Sequence, residues 1–553
     1  MTDFSSLERK NVLKEMAAET LDLLVIGGGI TGAGILLDAK TRGLNCGLIE
    51  MQDYAAGTSS RSTKLVHGGL RYLKQFEVNL VAEVGKERAI VYELAPHVTT
   101  PEWMLLPLYK GGTFGKFSTS IGLKVYDNLA RVRKSERRTM LSRDKTIAKE
   151  PLLKKDGLVG GGYYVEYRTD DSRLTLEVMK EAVQRGAKAV NYVKGERLLY
   201  EDGKIVGVVA VDQLTGEETT IRAKKIVNAA GPWVDDLREK DNSKHGKYLH
   251  ITKGIHIVFD QSRFPLKQAV YFDVPDGRMI FAIPRDGKAY VGTTDTDYNA
   301  DLVHPRMTVA DRDYLVEAVN NMFPTLKLTV DDVESSWAGV RPLIHEQGKD
   351  PSEISRKDEI FHSPSGLISI AGGKLTGYRK MAERVVDLVT SELTAEGVGS
   401  YSECVTDKVK LSGGDVGGSD HLPQFVAEKT KQGVALGLDG EEAQLLAKRY
   451  GSNVDELFKL VETVREEAVE RKLPVHVLAM LKYGMGHEMT MTPCDFFVRR
   501  TSDLLFNINA VHEWKDGVIA YMAEQLGWSE AEEERHRGEL ERELHDAAVP
   551  LEN

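Results

Sequence analysis

Three glycines and one acid at fixed spacing are the residues of this 553-residue chain with the clearest chemistry. Gly27, Gly29 and Gly32 lie in GGGITGAG and fill the pattern G-x-G-x-x-G. Gly27 permits a tight turn, Gly29 lets backbone N–H groups approach a pyrophosphate, and Gly32 lets a helix lie close on a strand. That helix aims its positive end at the phosphates. Glu50 follows Gly29 by about 20 residues, where a carboxylate accepts hydrogen bonds from an adenosine ribose. A glycine triplet alone fits any strand-to-helix turn, so its surroundings decide. Residues 21–50, LDLLVIGGGITGAGILLDAKTRGLNCGLIE, supply an apolar strand, the turn, an amphipathic helix, a second strand and the acid. The expectation is a dinucleotide site.

The bulk of the chain narrows the partners. Hydrophobic content of 41% and charged content of 28% are those of a globular protein. The formal charge of −11 argues against nucleic acid, so an anionic ligand needs a local basic pocket. Cys46, Cys404 and Cys494 are far apart and form no C-x-x-C pair, so no disulfide framework, zinc site or thiol couple is expected, and a reducing compartment fits. MTDFSSLERKNVLKEMAAET mixes acids and bases without an apolar run, so it does not read as a signal peptide and a cytoplasmic location is expected. The longest apolar stretch, Leu23 to Leu37, is too short to span a bilayer and is broken by five glycines.

The elements that must position such a site alternate along the chain. The helical pattern at 174–190 leads into alternating strands around a turn at Asp202 and Gly203, then IRAKKIVNAAGPWVDDL. A β-rich stretch runs from about His250 to Asp297, with turn signals at 275–277 and 285–287. Residues 363–389 return as strand, glycine pair and helix, and a Gly/Ser-rich segment near 412–419 precedes strongly helical sequence. This order predicts a nucleotide domain assembled from separated pieces around a β-rich insert.

GGGITGAG is joined by GTSSRSTKLVHGGLRYL (57–73), NAAGPWVD (228–235), VGTTDTDY (291–298), GVRPLI (339–344) and SIAGGKLTGYRKMAE (369–383). Together these resemble the FAD-dependent glycerol-3-phosphate dehydrogenases of the aerobic, respiratory bacterial type, over nearly the whole chain. The resemblance implies an α/β protein with a discontinuous Rossmann-like FAD-binding domain, a β-sheet substrate domain and a C-terminal α-helical domain. The expected divisions are an N-terminal extension at 1–20, FAD-binding pieces at 21–100, 155–245 and 335–395, cap pieces at 101–154 and 246–334, and the helical domain at 396–553.

The resemblance also implies residue roles. His256, Arg341 and Lys374 fall near the flavin and the reacting oxygen, and Arg71, Tyr72 and Arg356 serve phosphate and polar contacts. Gly27, Gly29, Gly32, Glu50, Thr58, Ser59, Ser60, Lys64, His67, Gly231, Gly372, Gly373, Lys374 and Thr376 line FAD. Arginine suits the substrate pocket because its planar fork binds phosphate bidentately and stays charged. His256 lies between Ile255 and Ile257 in a strand pattern, so it faces away from them, as a core or surface histidine or as a catalytic one. Lys374 begins a helix, where the dipole disfavours an ordinary lysine and the helix end would stabilise the anionic edge of reduced flavin. Asp295 and Asp297 read as turn residues, and His67 raises the question of a covalent flavin link.

The implied reaction is oxidation of sn-glycerol 3-phosphate to dihydroxyacetone phosphate, with electrons passed to membrane quinone. No second nucleotide fingerprint appears, so NAD is not expected as acceptor. An oxidase using O₂, an amine or amino-acid oxidase of the same flavin fold, and a flavin-binding interaction protein without turnover are the alternatives; a homodimer is left open. Segment 116–138 combines apolar and basic residues and would fit an anionic membrane surface.

Overall fold

The computed structural model describes residues 4–67, 78–112, 136–348 and 357–552. Arg71, Tyr72, Arg356 and most of segment 116–138 lie outside the described residues.

Strand Thr20–Ile26 is central to an eight-stranded sheet. It pairs in parallel with Glu218–Asn228 on one side and Cys46–Ile49 on the other. Leu367–Ala371 and Lys188–Val190 extend the parallel core outward from those two. Leu21, Leu23, Leu24 and Val25 are wholly buried, the continuous apolar run of a strand covered on both faces. Helix Ile30–Thr41 connects the first two strands and packs against helices Asp171–Gln184 and Tyr378–Ala395. One sheet thus draws on chain pieces hundreds of residues apart, and the α/β architecture with a discontinuous nucleotide-binding part is established. The helix anticipated over 174–190 stops at Gln184, because Lys188–Val190 leaves it to become an edge strand. The turn at Asp202 and Gly203, φ 48° and 74°, joins Val193–Glu201 to Lys204–Asp212 as expected.

The second sheet has ten strands, and its longest pairing joins Lys247–Asp260 antiparallel to Val333–Glu346. Two expected boundaries move. Strand Leu158–Thr169 pairs with Thr99–Tyr109, and Val333–Glu346 with Lys247–Asp260, so both belong to this sheet rather than to the nucleotide-binding pieces. Ile255, Ile257 and Phe259 face a core shared with Leu315 and Val319 of helix Val309–Met322. Their intervening partner His256 therefore points to the opposite face. The first residues are also more than an extension: helix Arg9–Ala18 is docked through Arg9, whose guanidinium donates to both oxygens of Asp212 at 2.8 and 3.1 Å.

The C-terminal helices, from Leu422–Ala435 to Glu530–Ala548, surround Leu446, Tyr450, Leu457, Val461 and Leu478. They meet the nucleotide-binding part through buried charge. Arg173 donates to Glu488 at 2.8 Å, and Lys180 lies 3.0 Å from Glu177 and 3.1 Å from Glu488, all four side chains being at most 2% exposed. Burial without partners would be prohibitive for such groups; two cations and two acids satisfy one another.

Candidate functional site

A cavity of about 1270 Å³ lies between the two sheets, larger than the usual pocket for a drug-sized ligand. Its wall starts at the glycine turn. Gly27 has φ 115°, a left-handed conformation, and an added Cβ there would stand 2.4 Å from the Ala229 carbonyl oxygen. A Cβ on Gly32 would lie 1.8 Å from the Gly27 oxygen, so helix and strand meet through glycine alone, as the motif requires. Glu50 closes this end. Its carboxylate accepts from the Gly28 N–H at 2.6 Å and the Gln52 N–H at 2.8 Å, and burial raises its pKa against those bonds. Ser59 accepts the Ile30 N–H at 3.0 Å, serving the start of the motif helix, and Thr58 donates to the Val340 carbonyl at 2.8 Å.

At the other end the second sheet presents one row of side chains. Trp337, His256, Gly292, Phe281 and Tyr271 are successive cross-strand partners, so they share a face. His256 stacks on Trp337 with centroids 4.7 Å apart and planes 8° from parallel. Its ring lies over Gly292, where a Cβ would come within 2.1 Å of imidazole Cδ2. Nε2 is 3.0 Å from Thr63 Oγ1, whereas buried Nδ1 has no partner among the described residues. Burial, then the cations Arg341 and Lys64, hold this imidazole well below its ordinary pKa. It is neutral. His67 is likewise pushed down to about 3, chiefly by burial and then by Lys374 and Arg88.

Arg341 enters from strand Val333–Glu346 and is held by Thr293 Oγ1 at 3.0 Å, the Thr294 carbonyl at 3.3 Å and Asp295 at 3.2 Å. Asp295, expected to be a mere turn residue, lines the cavity as the arginine's counter-ion; Asp297 pairs instead with His250 at 2.9 Å. Gly372 and Gly373 have φ 75° and 83°, where added Cβ atoms would strike the Lys357 oxygen and Met381 sulfur. They turn the chain so that Lys374 caps the short helical turn Leu375–Gly377 that opens helix Tyr378–Ala395. Thr376 Oγ1 accepts the His67 N–H at 3.1 Å, tying these two walls together. Gly27, Gly29, Glu50, Thr58, Ser59, His67, Gly231, His256, Arg341, Gly372, Gly373, Lys374 and Thr376 all line this one cavity.

Three expected FAD contacts do not: Gly32, which is taken up by the packing of helix on strand, Ser60 and Lys64. Lys64 is fully buried, its ammonium 2.6 Å from Asp171 and 2.9 Å from the Ser60 carbonyl, and neither Lys64 nor Ser60 is in the cavity wall. The physical reason is charge pairing: with its side chain removed from water, Lys64 needs a carboxylate more than it needs a ligand. It anchors the 58–64 loop to helix Asp171–Gln184.

Residues 22–379 match the family described as FAD dependent oxidoreductase, and residues 404–533 match the C-terminal domain of alpha-glycerophosphate oxidase. Aerobic glycerol-3-phosphate dehydrogenase from Bacillus subtilis is 66% identical over 99% of both chains. The chain belongs to the FAD-dependent glycerol-3-phosphate dehydrogenase family. A Staphylococcus aureus enzyme of the same name is 57% identical over 98% of both chains. The structure of glycerol-3-phosphate dehydrogenase from Bacillus halodurans complexed with FAD superposes with a TM-score of 0.86 at 56% identity, covering 99% of each chain. The Mycoplasma pneumoniae L-alpha-glycerophosphate oxidase, at 20% identity and TM-score 0.56 over 70% of this chain and 96% of that one, shares the fold.

FAD is therefore the cofactor of this family, and the cavity fits it: a cradle free of Cβ atoms at the helix start and a carboxylate beside it suit an adenosine pyrophosphate. Asp295 in the cavity wall and Trp337 stacked on His256 are two residues of this region to which the sequence pattern gave no role. The alternation that exposed His256 applies equally to Trp337, whose neighbours Ser336 and Ala338 are small.

Proposed function

We propose that this protein oxidises sn-glycerol 3-phosphate to dihydroxyacetone phosphate and passes the electrons to a membrane quinone. The observation that carries the reading is a buried imidazole, His256, in the field of Arg341, both in the wall of the one cavity that Lys374 and the glycine turn also line. FAD, when bound, supplies the two-electron acceptor. Oxidation of the alcohol removes hydride from C2 and a proton from its hydroxyl. His256 is assigned the proton: the tautomer that donates Nε2–H to Thr63 leaves Nδ1 as a lone-pair acceptor. Arg341 and Lys374 are assigned to the anionic and oxygen-bearing substrate, with Arg71, Tyr72 and Arg356 proposed for the phosphate. A bound phosphate would offset the cationic field that depresses His256, so the anion that is oriented also makes the base more basic.

Anaerobic bleaching of the yellow protein tests substrate and cofactor together. Glycerol 3-phosphate should bleach it, while glycerol, lactate and amino acids should not. Bleaching by an amino acid instead would move the assignment to the amino-acid oxidases.

A further inference from the structure

We propose that the C-terminal helical module is a working part of the FAD site: Arg499 and Arg500, acting through Asp53, are positioning residues for the loop that borders the cofactor. The proposal rests on the FAD reading of the cavity. Beyond Met381 no described residue stands in the cavity wall, so any influence of the C-terminal module must travel through another segment. The loop after Glu50 is that segment. Met51, Gln52, Ala56 and Gly57 line the cavity, and the loop is tied to the glycine turn in front by Ala55 N–H donating to the Gly28 carbonyl at 3.0 Å.

Behind the loop, Asp53 turns the other way. Arg500 grips it bidentately, Nη1 to Oδ2 at 2.6 Å and Nη2 to Oδ1 at 2.8 Å, and Arg499 Nε donates to Oδ2 at 2.5 Å. Asn191 adds a bond to Oδ1 at 3.0 Å, and Arg499 is balanced by Asp495 at 2.7 Å. Adjacent helical residues ordinarily diverge by about 100°. Here Asp495–Arg500 is wound as a π-helix, a rare form often met at functional sites, and both arginines reach one carboxylate. The Asp53 and Arg500 side chains are completely buried, so the bidentate geometry is not diluted by water.

The charges also reach Glu50. Burial and Asp53 push the Glu50 carboxyl toward its neutral form, while Arg499 opposes them. Offsetting the charge of Asp53 therefore does more than hold a loop: it works against the burial that favours the neutral form of Glu50. Because coupling between two binding events is reciprocal, a loop shaped by the arginine pair must in turn make FAD strengthen the docking of the arginine pair.

The test has two arms. Arg500→Lys keeps the charge and loses the fork; Arg499→Lys leaves that fork intact and serves if the first variant folds poorly. Diluted holoenzyme of either variant should release FAD, read as recovered flavin fluorescence, about tenfold or more faster than wild type. A purely structural contribution would lower Tm and leave flavin release, measured well below Tm, unchanged. In wild-type protein, hydrogen exchange over 488–502 should accelerate when FAD is stripped, although this segment touches no part of the cavity. Unchanged FAD release from a folded variant, or exchange over 488–502 that is indifferent to FAD, overturns the proposal. A wild-type protein purified without flavin would instead overturn the FAD reading itself.

Discussion

Arg341 illustrates how much a single side chain is asked to do at the residue scale. Its guanidinium is held in place by Thr293, Thr294 and Asp295, and it cools the basicity of the neighbouring His256. Losing one charge-assisted bond costs about 1.5–3 kcal/mol, hence roughly ten- to two-hundredfold in kcat/KM for Arg341→Met. Arg341→Lys should recover little, since an ammonium cannot reproduce the fork. Normal kinetics in both variants, with full flavin content, would remove Arg341 from the substrate site. His256 makes a second prediction, through pH. Its folded pKa lies below the unfolded value near 6.5, so the unfolded chain binds the extra proton and stability is lost as pH falls below 6.5, at up to about 1.4 kcal/mol per pH unit. The wild-type Tm should therefore drop faster between pH 7 and pH 5 than that of His256→Gln. Parallel Tm curves would show that His256 is protonated in the fold.

The glycine turn makes its prediction at the scale of elements. Gly29 has φ −77° and ψ −179°, a conformation open to any residue, so its glycine is required by space and not by backbone angle. A Cβ there already stands 3.1 Å from Ser59 Oγ, and the γ-methyls of Gly29→Val would enter the cavity. That variant should purify colourless, while Gly29→Ala should keep part of its flavin; an unchanged ratio of flavin to protein absorbance in Gly29→Val would end the assignment of the turn. This element was legible in the sequence because everything it needs is local: strand, turn, helix and acid all lie within residues 21–50. The facing of His256 was legible for the same reason, from a two-residue period. Lys64 was not, because its choice of Asp171 over a ligand depends on two segments more than a hundred residues apart meeting in the fold. Nor was Asp295, whose turn-like GTTDTD surroundings say nothing of Arg341 across the sheet. The arginine pair did leave a trace: in FFVRRTSDLLF two cations sit within an apolar run, which implies burial and hence partners, but not which partners. The boundaries at 155 and 335 failed similarly, since a strand's period does not tell which of two sheets it will join.

For the molecule as a whole the open requirement is an exit for electrons. Quinones reside in lipid, yet among the described residues no helix is long and apolar enough to cross a membrane, so a surface contact is the route we propose. The net charge of −11 opposes adsorption to an anionic bilayer, which means that attachment has to come from a local concentration of basic and apolar residues rather than from the field of the whole protein. Segment 116–138 has that composition: Phe117, Ile121, Leu123, Val125, Tyr126 and Leu129 beside Lys124, Arg131, Arg133, Lys134, Arg137 and Arg138. Each basic residue near such a surface contributes on the order of 1 kcal/mol, screened by salt. The enzyme should then co-sediment with anionic liposomes at low ionic strength, dissociate at high salt, and reduce a soluble quinone much faster than O₂. Charge reversal of Arg133, Lys134, Arg137 and Arg138 together should abolish co-sedimentation while oxidation of glycerol 3-phosphate with an artificial dye persists. Absence from liposomes at every salt concentration, together with rapid hydrogen peroxide formation, would instead assign the electrons to O₂.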